Sequence, residues 1–360
     1  MTHISHLSYN LSKDEFKRYN RQIILSEIGL DGQLKLKNAK VLMIGAGGLG
    51  CPVLQYLAAA GVGTIGIVDD DVVDESNLQR QILYNSADVG LSKAITTANK
   101  LAFLNPFIQF TTYNTRLTAD NSDEIIEKYD LIIDGTDNFE TRYLVNDCCL
   151  RLDKTLVFGS IFKFEGQISV FNYQDGPTLR CIYPEAPLAE EVPNCSEIGV
   201  LGVLPGLVGL YMANEALKII LQLGDVLSGK LLVINSLDNS HNVFKFKKTS
   251  VYDAKNVKKQ ALPDKITVEE NEISWEDFQA DLNNFFLVDV REIWEHEDYN
   301  IGGINISYSD VAEGVAELPT DKKILFYCQT GQRSKVAVTL LKQKSFSGSI
   351  FSLLEGIQNR

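Results

Sequence analysis

A glycine-rich turn followed by an acidic residue is the strongest sign of chemistry in this sequence. The segment Gly45-Ala46-Gly47-Gly48-Leu49-Gly50 fits the pattern G-x-G-x-x-G, follows an apolar run typical of a buried strand and precedes a helical pattern. Asp69 lies at the end of the next predicted strand. Such glycines let the backbone approach phosphates, the helix N-terminus attracts them, and the acid can bind ribose hydroxyls. The pattern predicts a nucleotide site, for which NAD or FAD is the usual ligand.

Further polar residues along the chain favour ATP over a dinucleotide. They are Arg21 upstream, Asn77, Leu78, Gln79 and Arg80 after the acidic strand end, then Lys93, and Asp137 with Asn138 at the end of a later strand. Ligands of an open parallel sheet bind outside the carboxyl ends of the strands, where Asp69 and Asp137 are both expected. One acid could hold ribose and the other, Asp137, a Mg²⁺ ion, while the three cations neutralise a triphosphate. Nucleotidyl transfer needs such a set, and nicotinamide chemistry does not.

Cys328 predicts a second kind of chemistry in the C-terminal part of the sequence. It follows the apolar run KILFY and opens the segment Cys328-Gln329-Thr330-Gly331-Gln332-Arg333-Ser334 before a helical pattern. Backbone N–H groups, a helix N-terminus and Arg333 would all favour the thiolate. A phosphatase also uses a cysteine loop with an arginine, although its loop is usually one residue longer. Cys195 lies in a proline-rich acidic stretch and is either a reactive loop thiol or a spare one.

The order of the predicted elements defines the scaffold that must position these residues. Strand and helix patterns alternate from residue 40 to residue 162, which predicts an α/β fold with a doubly wound, mostly parallel Rossmann-like sheet. The segments EGQISVFNY and LLVINSL predict a later antiparallel part. The strands FFLVDVR and KILFYCQTG and the helix RSKVAVTLLKQK predict a second, small α/β domain.

The net charge of the sequence changes sign between the two predicted domains. Residues 1–244 carry a net charge of −10, residues 245–268 of +5 and residues 269–360 of −8, which sum to −13. We expect domains at 1–247 and 269–360, joined by a lysine-rich linker at 248–268.

Composition disfavours several other classes of protein. With a net charge of −13, a nucleic-acid surface is not expected, because it needs clustered Lys and Arg. The longest apolar stretch, residues 199–213, is shorter than the about 20 residues of a membrane span. The sequence has no signal-peptide pattern, and its six cysteines are too sparse for a disulfide framework. We therefore expect a cytoplasmic protein without membrane or nucleic-acid partners.

The order of the motifs resembles the MoeB/ThiF adenylyltransferases, which are prokaryotic relatives of ubiquitin-activating enzymes. The matching segments are RYNRQ, GAGGLG, an Asp-x-Asp followed by SNLQRQ, a Gly-x-x-Lys and GTDN, across about residues 10–245. The resemblance implies ATP-dependent adenylation of the C-terminal glycine of a small ubiquitin-like sulfur carrier that ends in Gly-Gly, of the MoaD or ThiS type. It also implies a homodimer in which Arg21 reaches the partner's ATP site. The implied nucleotide site consists of Gly48, Asp69, Asn77, Arg80, Lys93 and Asp137.

The cysteines of this chain differ from the family pattern at the zinc site and agree with it in the loop that contains Cys195. Many members hold a structural zinc with two C-x-x-C pairs, whereas the first pair here reads Thr178-Leu179-Arg180-Cys181, and no cysteine lies between residues 195 and 328. Because tetrahedral zinc needs four ligands, we predict no zinc, with buried apolar packing in its place. The resemblance does place a cysteine at Cys195, which in some members attacks the acyl-adenylate or receives sulfur.

Residues 270–360 resemble the rhodanese sulfurtransferases, through LVDVREIWEHE together with C-x-x-G-x-R-S. The resemblance implies a persulfide on Cys328, supplied by a cysteine desulfurase or another sulfane-sulfur donor. The product would be a carrier thiocarboxylate for molybdopterin, thiamine or another thiolation pathway. The usual G-H-I-x-G-A segment is shortened here to residues 299–303. An NAD(P)- or FAD-dependent oxidoreductase and a non-catalytic carrier-binding adaptor are the alternative interpretations.

Overall fold

The computed structural model describes residues 11–185, 199–249 and 271–358, apart from short gaps at 309, 312–317, 320–321, 345 and 347. The chain divides into two compact units, Met1–Leu262 and Pro263–Arg360, which are described separately. Most of the predicted linker at 248–268 lies outside the described residues, so its bounds stay a prediction.

The first unit is built on an eight-stranded sheet. The strands are β1 (Lys40–Ile44), β2 (Thr64–Val68), β3 (Gln109–Tyr113), β4 (Leu131–Asp134), β5 (Thr155–Phe162), β6 (Glu165–Phe171), β7 (Lys230–Asn235) and β8 (Ser240–Lys245). They lie in the order β3-β2-β1-β4-β5-β6-β7-β8. Strands β1 to β5 pair in parallel, and β6, β7 and β8 extend the sheet in antiparallel fashion. The predicted fold is confirmed, and the strand order reverses beside β1, where ligands of such sheets bind.

Helices cover this sheet, and their ends follow from local sequence signals. They are α1 (Lys13–Ile23), α2 (Gly29–Asn38), α3 (Gly50–Ala60), α4 (Lys93–Leu104), α5 (Ser122–Ile126), α6 (Phe139–Arg151) and α7 (Val203–Leu221). The side chains of Ser12, Ser92 and Asn138 each accept a hydrogen bond from a backbone N–H in the first turn of α1, α4 and α6. Gly61 ends α3 with a φ of +89°, a left-handed conformation that favours glycine.

The central strands are buried on both faces. Along β1, Val41 and Met43 pack into one apolar cluster, and Leu42 and Ile44 pack into the other. Because side chains alternate between the two faces of a strand, this arrangement requires a helical layer on each side. Each side chain of this kind contributes about 1.5–3 kcal/mol by burial. The sheet is therefore a firm base for the loops at its carboxyl edge.

Within the described residues, α7 is the one helix long and apolar enough to span a membrane by length and composition. It extends well past the apolar stretch seen in the sequence, to Leu221. About 44% of its most apolar window is buried in the fold. It also packs closely on α3, since a Cβ on Gly209 would lie 2.4 Å from Cγ of Pro52. These contacts are those of a helix in the core of the first unit.

The second unit is a smaller sheet of five parallel strands, in the order β11-β10-β12-β13-β9. Its elements are β9 (Glu272–Ile273), α8 (Trp275–Ala280), β10 (Phe285–Asp289), α9 (Ile293–Asp298), β11 (Ile304–Asn305), β12 (Lys323–Tyr327), α10 (Gln332–Gln343) and β13 (Ser349–Leu353). Along β12, Ile324 and Phe326 face one apolar cluster, and Leu325 and Tyr327 face the other. This strand carries Cys328 directly at its carboxyl end, as the sequence predicted.

Candidate nucleotide site and cysteine loop

A cavity of about 580 Å³ opens at the carboxyl edge of the first sheet. Eight of the predicted nucleotide-site residues line it, namely Gly45, Gly47, Gly48, Asp69, Arg80, Lys93, Asp137 and Asn138. The cavity therefore brings together the glycine-rich turn, two of the predicted cations and both predicted carboxylates.

The glycine-rich turn between β1 and α3 has no room for side chains at two positions. Gly45 has a φ of +89°, and a Cβ on it would lie 3.0 Å from the carbonyl oxygen of Gly135. A Cβ on Gly50 would lie only 2.1 Å from the carbonyl oxygen of Gly45. The turn is thus tight, and it presents the N-terminus of α3 at the cavity, an arrangement suited to a phosphate group.

Asp69 and Lys93 are both held in place on the cavity wall. The carboxylate of Asp69 accepts hydrogen bonds from the backbone N–H groups of Ala46, at 2.7 Å, and Asp71, at 2.9 Å. Burial raises the pKa of Asp69 despite these bonds. The buried ammonium of Lys93 lies 2.9 Å from the carboxylate of Asp71. Asp71, which sequence reasoning gave no role, therefore fixes the position of the predicted phosphate-binding lysine.

Arg80, Asp137 and Asn138 differ in how firmly the fold holds them. Arg80 donates to the carbonyl oxygen of Ser76 at 3.1 Å, and Asp137 is exposed at the cavity mouth. Asn138 accepts a hydrogen bond from the backbone N–H of Thr141 at 2.9 Å, so part of its role is to cap α6. Asp137 thus stands free to meet a ligand, directly before the capped helix.

Three predicted contacts, Asn77, Leu78 and Gln79, are not among the residues that line the cavity. Asn77 ends a short 3-10 helix, and Leu78 packs against the small buried cluster of Cys51, Val73 and Tyr84. These residues shape the turn that carries Arg80 to the cavity. Their direct contact with a nucleotide stays a prediction.

A buried ion pair at the wall of the cavity, to which Arg142 contributes, was not found from the sequence. Asp134 is fully buried at the end of β4, and Nε of Arg142 lies 3.6 Å from its carboxylate. Arg142 also donates to the carbonyl oxygen of Thr136 at 2.7 Å and to the hydroxyl of Ser160 at 3.2 Å. The carboxylate of Asp134 accepts the N–H and hydroxyl of Thr136 at 2.9 and 2.6 Å. The pair thus clamps Thr136, the residue directly before Asp137.

Arg21 lies far from this cavity in its own chain. Its neighbour Gln22 donates to the carbonyl oxygen of Ala60 at 3.0 Å, at the C-terminal end of α3. The glycine-rich turn contacts the opposite end of that helix, about 16 Å away at 1.5 Å per residue. Arg21 itself is exposed and does not line the cavity.

In the second unit, Cys328 opens a tight loop between β12 and α10. Its side chain is buried, and Sγ lies 3.7 Å from the hydroxyl of Ser334. Gly331 has a φ of +86° at the start of α10, which gives the loop its sharp turn. A Cβ on Gly356 would lie 2.3 Å from the carbonyl oxygen of Cys328, so a neighbouring loop closes on the cysteine as well.

Two arginines beside the cysteine loop are each bound by a carboxylate. Arg333 forms a bidentate pair with Glu295, at 2.6 and 2.7 Å. Arg291 pairs with both oxygens of the buried Asp289, which holds the pKa of Asp289 below its usual range against the effect of burial. Arg291 also reaches Oε1 of Gln329 in the loop at 3.3 Å. The predicted anion-stabilising Arg333 is therefore partly engaged by Glu295.

The remaining cysteines fall into three groups. Burial raises the pKa of Cys51 and of Cys148 to about 12, and that of Cys149 well above its usual value, so these buried thiols are protonated at neutral pH. Cys195 lies outside the described residues, and its role stays a prediction. Burial raises the pKa of Cys181, but hydrogen bonds from Thr249 and Thr178 outweigh it, so the pKa of this thiol is lower than usual.

The position of the family's first zinc pair is held by hydrogen bonds. Sγ of Cys181 lies 3.4 Å from the N–H of Thr178, 3.6 Å from its hydroxyl, and 3.5 Å from both the N–H and the hydroxyl of Thr249. Apolar packing is present beside it, where Leu179 is buried and Ile182 packs against the same cluster, but polar donors surround the sulfur itself. In the part of the chain that the structure describes, no group of three or more His, Cys, Asp or Glu side chains could hold a metal ion. The absence of zinc itself stays a prediction.

A doubly wound sheet with a glycine-rich turn and converging cations defines a nucleotide-binding α/β enzyme, here joined to a cysteine-loop unit. Residues 19–256 match the ThiF family, and residues 274–359 match the rhodanese-like domain. The chain belongs to the ThiF family and carries a C-terminal rhodanese-like domain, so both resemblances are confirmed.

Similar proteins carry names that combine the two activities. The probable adenylyltransferase/sulfurtransferase MoeZ of Mycobacterium tuberculosis is 43% identical over 94% of this chain and 91% of its own. A probable molybdopterin-synthase adenylyltransferase of Porphyra purpurea is 42% identical over 93% of this chain and 90% of its own. The sulfur carrier protein adenylyltransferase of Thermus thermophilus is 50% identical over 64% of this chain and 86% of its own. The chain is thus an enzyme of the adenylyltransferase and sulfurtransferase type, and these names do not favour an oxidoreductase.

Solved structures of lower identity share the fold. E. coli MccB with AMPCPP and MccA superposes with a TM-score of 0.59 and 23% identity, over 68% of this chain and 74% of that chain. PaaA superposes with a TM-score of 0.56 and 22% identity, over 69% of this chain and 79% of that chain.

Proposed function

We propose that the first unit uses ATP to adenylate the C-terminal glycine of a small ubiquitin-like sulfur carrier ending in Gly-Gly. We further propose that the second unit supplies the sulfur that converts this carboxylate to a thiocarboxylate. The observation that carries the first proposal is the convergence of Arg80 and Lys93 on the cavity of the glycine-rich turn. A relative named as a sulfur carrier protein adenylyltransferase supports the choice of substrate.

In the adenylation step, the carrier carboxylate attacks the α-phosphate of ATP and pyrophosphate leaves. Negative charge develops on the phosphate oxygens, and Arg80 and Lys93 are positioned to neutralise it. The amide-rich turn before α3 binds and orients the nucleotide, which converts the attack into a step between fixed groups. Asp137, exposed at the cavity mouth, would hold the Mg²⁺ ion that shields the phosphates. Asp69 would bind the ribose.

Adenylation prepares the carboxylate for sulfur transfer. A carboxylate is a poor electrophile, whereas its mixed anhydride with AMP has a good leaving group. The thiolate of Cys328 accepts a sulfane sulfur from a donor, and the terminal sulfur of the resulting persulfide attacks the activated carbonyl and displaces AMP. A second thiol then attacks the Cys328 sulfur of the acyl disulfide so formed, which releases the thiocarboxylate and leaves a disulfide. We assign Arg333 to stabilise the loop anion. We assign Cys195 to one relay step, either attack on the acyl-adenylate or receipt of sulfur.

We propose that the protein is a homodimer in which Arg21 completes the partner's ATP site. Two features at the C-terminal end of α1 support this. Arg21 is separated from its own cavity by the length of α3, as its neighbour's hydrogen bond to Ala60 indicates. Apolar side chains around it are also exposed, Ile24 to 61% and Leu25 to 50%, as expected for a surface that another chain covers.

Pathway, sulfur source and location complete the proposal. Names of relatives favour molybdenum cofactor biosynthesis, with thiamine synthesis or another thiolation pathway as further uses of the same product. The donor would be a cysteine desulfurase or another source of sulfane sulfur, acting in the cytoplasm. Neither nucleic acid nor a membrane is proposed as a partner.

Carrier-dependent ATP–pyrophosphate exchange tests the adenylation proposal. Arg80→Ala and Asp137→Ala should each lose most exchange, because a missing phosphate-directed group costs several kcal/mol of transition-state stabilisation. Lys128→Ala is the control, since Lys128 pairs with Glu124 on the surface, away from the cavity residues. Exchange at the wild-type rate in both site variants would refute the assignment.

A further inference from the structure

Glu295 neutralises the arginine of the cysteine loop. Both of its carboxylate oxygens accept hydrogen bonds from Arg333, at 2.6 and 2.7 Å, and both side chains are largely buried. Bidentate pairs of this kind are stronger and more rigid than single contacts. Arg333 therefore presents much less net positive charge to an incoming sulfur donor than an unpaired arginine would.

The other arginine near the loop is neutralised in the same way. Arg291 is bound by both oxygens of Asp289, at distances of 2.7 to 3.2 Å, while it touches Gln329 of the loop. Acidic residues Glu292, Glu297 and Asp298 are exposed around the same helix, α9. Residues 269–360 as a whole carry a net charge of −8. The two paired arginines and these exposed acidic side chains together therefore offer no net positive side-chain charge to attract an anionic donor.

Sulfur donors differ in the charge that they bring to this loop. With thiosulfate, the Cys328 thiolate attacks the outer sulfur of a dianion, the S–S bond breaks, and sulfite leaves as a dianion beside the new persulfide anion. With a persulfide R–S–SH, the same thiolate attacks the terminal sulfur, the S–S bond breaks, and RS⁻ leaves with the proton remaining on the new persulfide. The second reaction brings no additional negative charge to the loop.

We propose that Glu295 is a specificity-determining residue that disfavours oxyanionic sulfur donors relative to persulfides. This inference rests on the proposed role of Cys328 as the sulfur acceptor. Glu295 acts through Arg333: the carboxylate withholds the charge that would otherwise attract a dianion. The chemical class of the physiological donor is accordingly a persulfide, free or carried on a protein thiol.

Replacing one carboxylate oxygen of Glu295 by an amide nitrogen tests this proposal. Glu295→Gln keeps the shape and an oxygen that can accept from Arg333, while it removes the negative charge. We expect the ratio of kcat/KM for thiosulfate to kcat/KM for cysteine persulfide, with cyanide as acceptor, to rise about fivefold to tenfold. Most of the change should lie in KM for thiosulfate. Glu297→Gln is the matched control, because it removes one exposed charge from the same helix without touching Arg333. An unchanged ratio in Glu295→Gln, or an equal rise in the control, would overturn the proposal.

Two further measurements keep the result independent of misfolding. Glu295→Asp retains the charge and should retain the wild-type ratio. In the wild-type protein, the rate with thiosulfate should rise with ionic strength, because salt screens repulsion between like charges. A rate that falls with ionic strength would contradict the proposal without any variant. If neither thiosulfate nor cysteine persulfide loads Cys328, the role proposed for the cysteine is refuted instead. This outcome separates the two hypotheses.

Discussion

Replacing Arg142 by methionine should strongly destabilise the first unit. The change removes the cation that faces the fully buried carboxylate of Asp134, together with the bonds to Thr136 and Ser160. The guanidinium carbon of Arg142 lies 4.9 Å from the centroid of the Phe158 ring. Methionine is long enough to retain much of the apolar contact with this ring. The variant therefore leaves a buried acid whose partner is gone.

Removing one partner of a buried ion pair costs about 3–5 kcal/mol. The lower end applies here, because Nε lies 3.6 Å from the carboxylate and has no hydrogen-bond partner among the described residues. The loss should depend on pH. Burial already raises the pKa of Asp134 above its usual value, and the loss of Arg142 raises it further. A carboxyl whose folded pKa is raised stabilises the fold below its unfolded pKa and loses that effect as pH rises through the folded value. The variant should therefore recover stability on acidification from neutral pH.

The two units allow an internal control in the assay. Both tryptophans, Trp275 and Trp294, lie in the second unit, so urea unfolding followed by tryptophan fluorescence should not change. Hydrogen exchange of peptides that contain β4 reports on the first unit and should show the loss. Arg142→Met with Asp134→Asn should regain most of it, and Arg116→Met should lose at most about 1 kcal/mol, because its pair with Glu140 is exposed. A loss below about 1 kcal/mol in Arg142→Met, or no recovery in the double variant, would refute this reasoning.

Three other predictions address the dimer, the metal and Cys181. Inactive Arg21→Ala and inactive Asp137→Ala proteins should regain exchange activity after subunit exchange, because one site per heterodimer is complete; no recovery, with exchange verified by native mass spectrometry, contradicts a shared site. Elemental analysis of the purified protein should find no stoichiometric zinc, and one zinc per chain would mean that the ligands lie elsewhere. Burial raises the pKa of Cys181, but bonds from Thr249 and Thr178 outweigh it and lower the pKa from 9.0. Such a thiol stabilises the fold above its unfolded pKa and loses this effect as pH falls through the folded value. The stability difference between wild type and Cys181→Ala should therefore grow as pH rises toward 9.0, and a difference independent of pH would contradict it.

The sequence was sufficient for features that depend on neighbouring residues. The glycine-rich turn lies within six residues between a strand and a helix, and the cysteine loop repeats that arrangement in the second unit. The continuous apolar run before the glycine-rich turn likewise predicted that β1 is a buried strand. Local geometry decides all of these, so local patterns reveal them.

Features made by distant residues could not be read in the same way. Glu295 and Arg333 are 38 residues apart, and Cys181 meets Thr249 across 68 residues. Which carboxylate meets which cation depends on tertiary packing. The stretch from Asn77 to Gln79 was assigned to the site by a motif match alone, and in the structure it is Arg80, directly after this stretch, that lines the cavity.

Formation of the carrier thiocarboxylate tests the central claim most directly. Intact-protein mass spectrometry of a carrier ending in Gly-Gly, incubated with the enzyme, ATP and cysteine persulfide, should show one sulfur in place of one oxygen. Arg80→Ala should form almost none. Cys328→Ala should retain pyrophosphate exchange but form thiocarboxylate only when free sulfide is supplied, because no other loop side chain accepts sulfur comparably. Thiocarboxylate formed without ATP, or formed at the wild-type rate by Cys328→Ala without sulfide, would contradict the assignment of the two reactions to the two units.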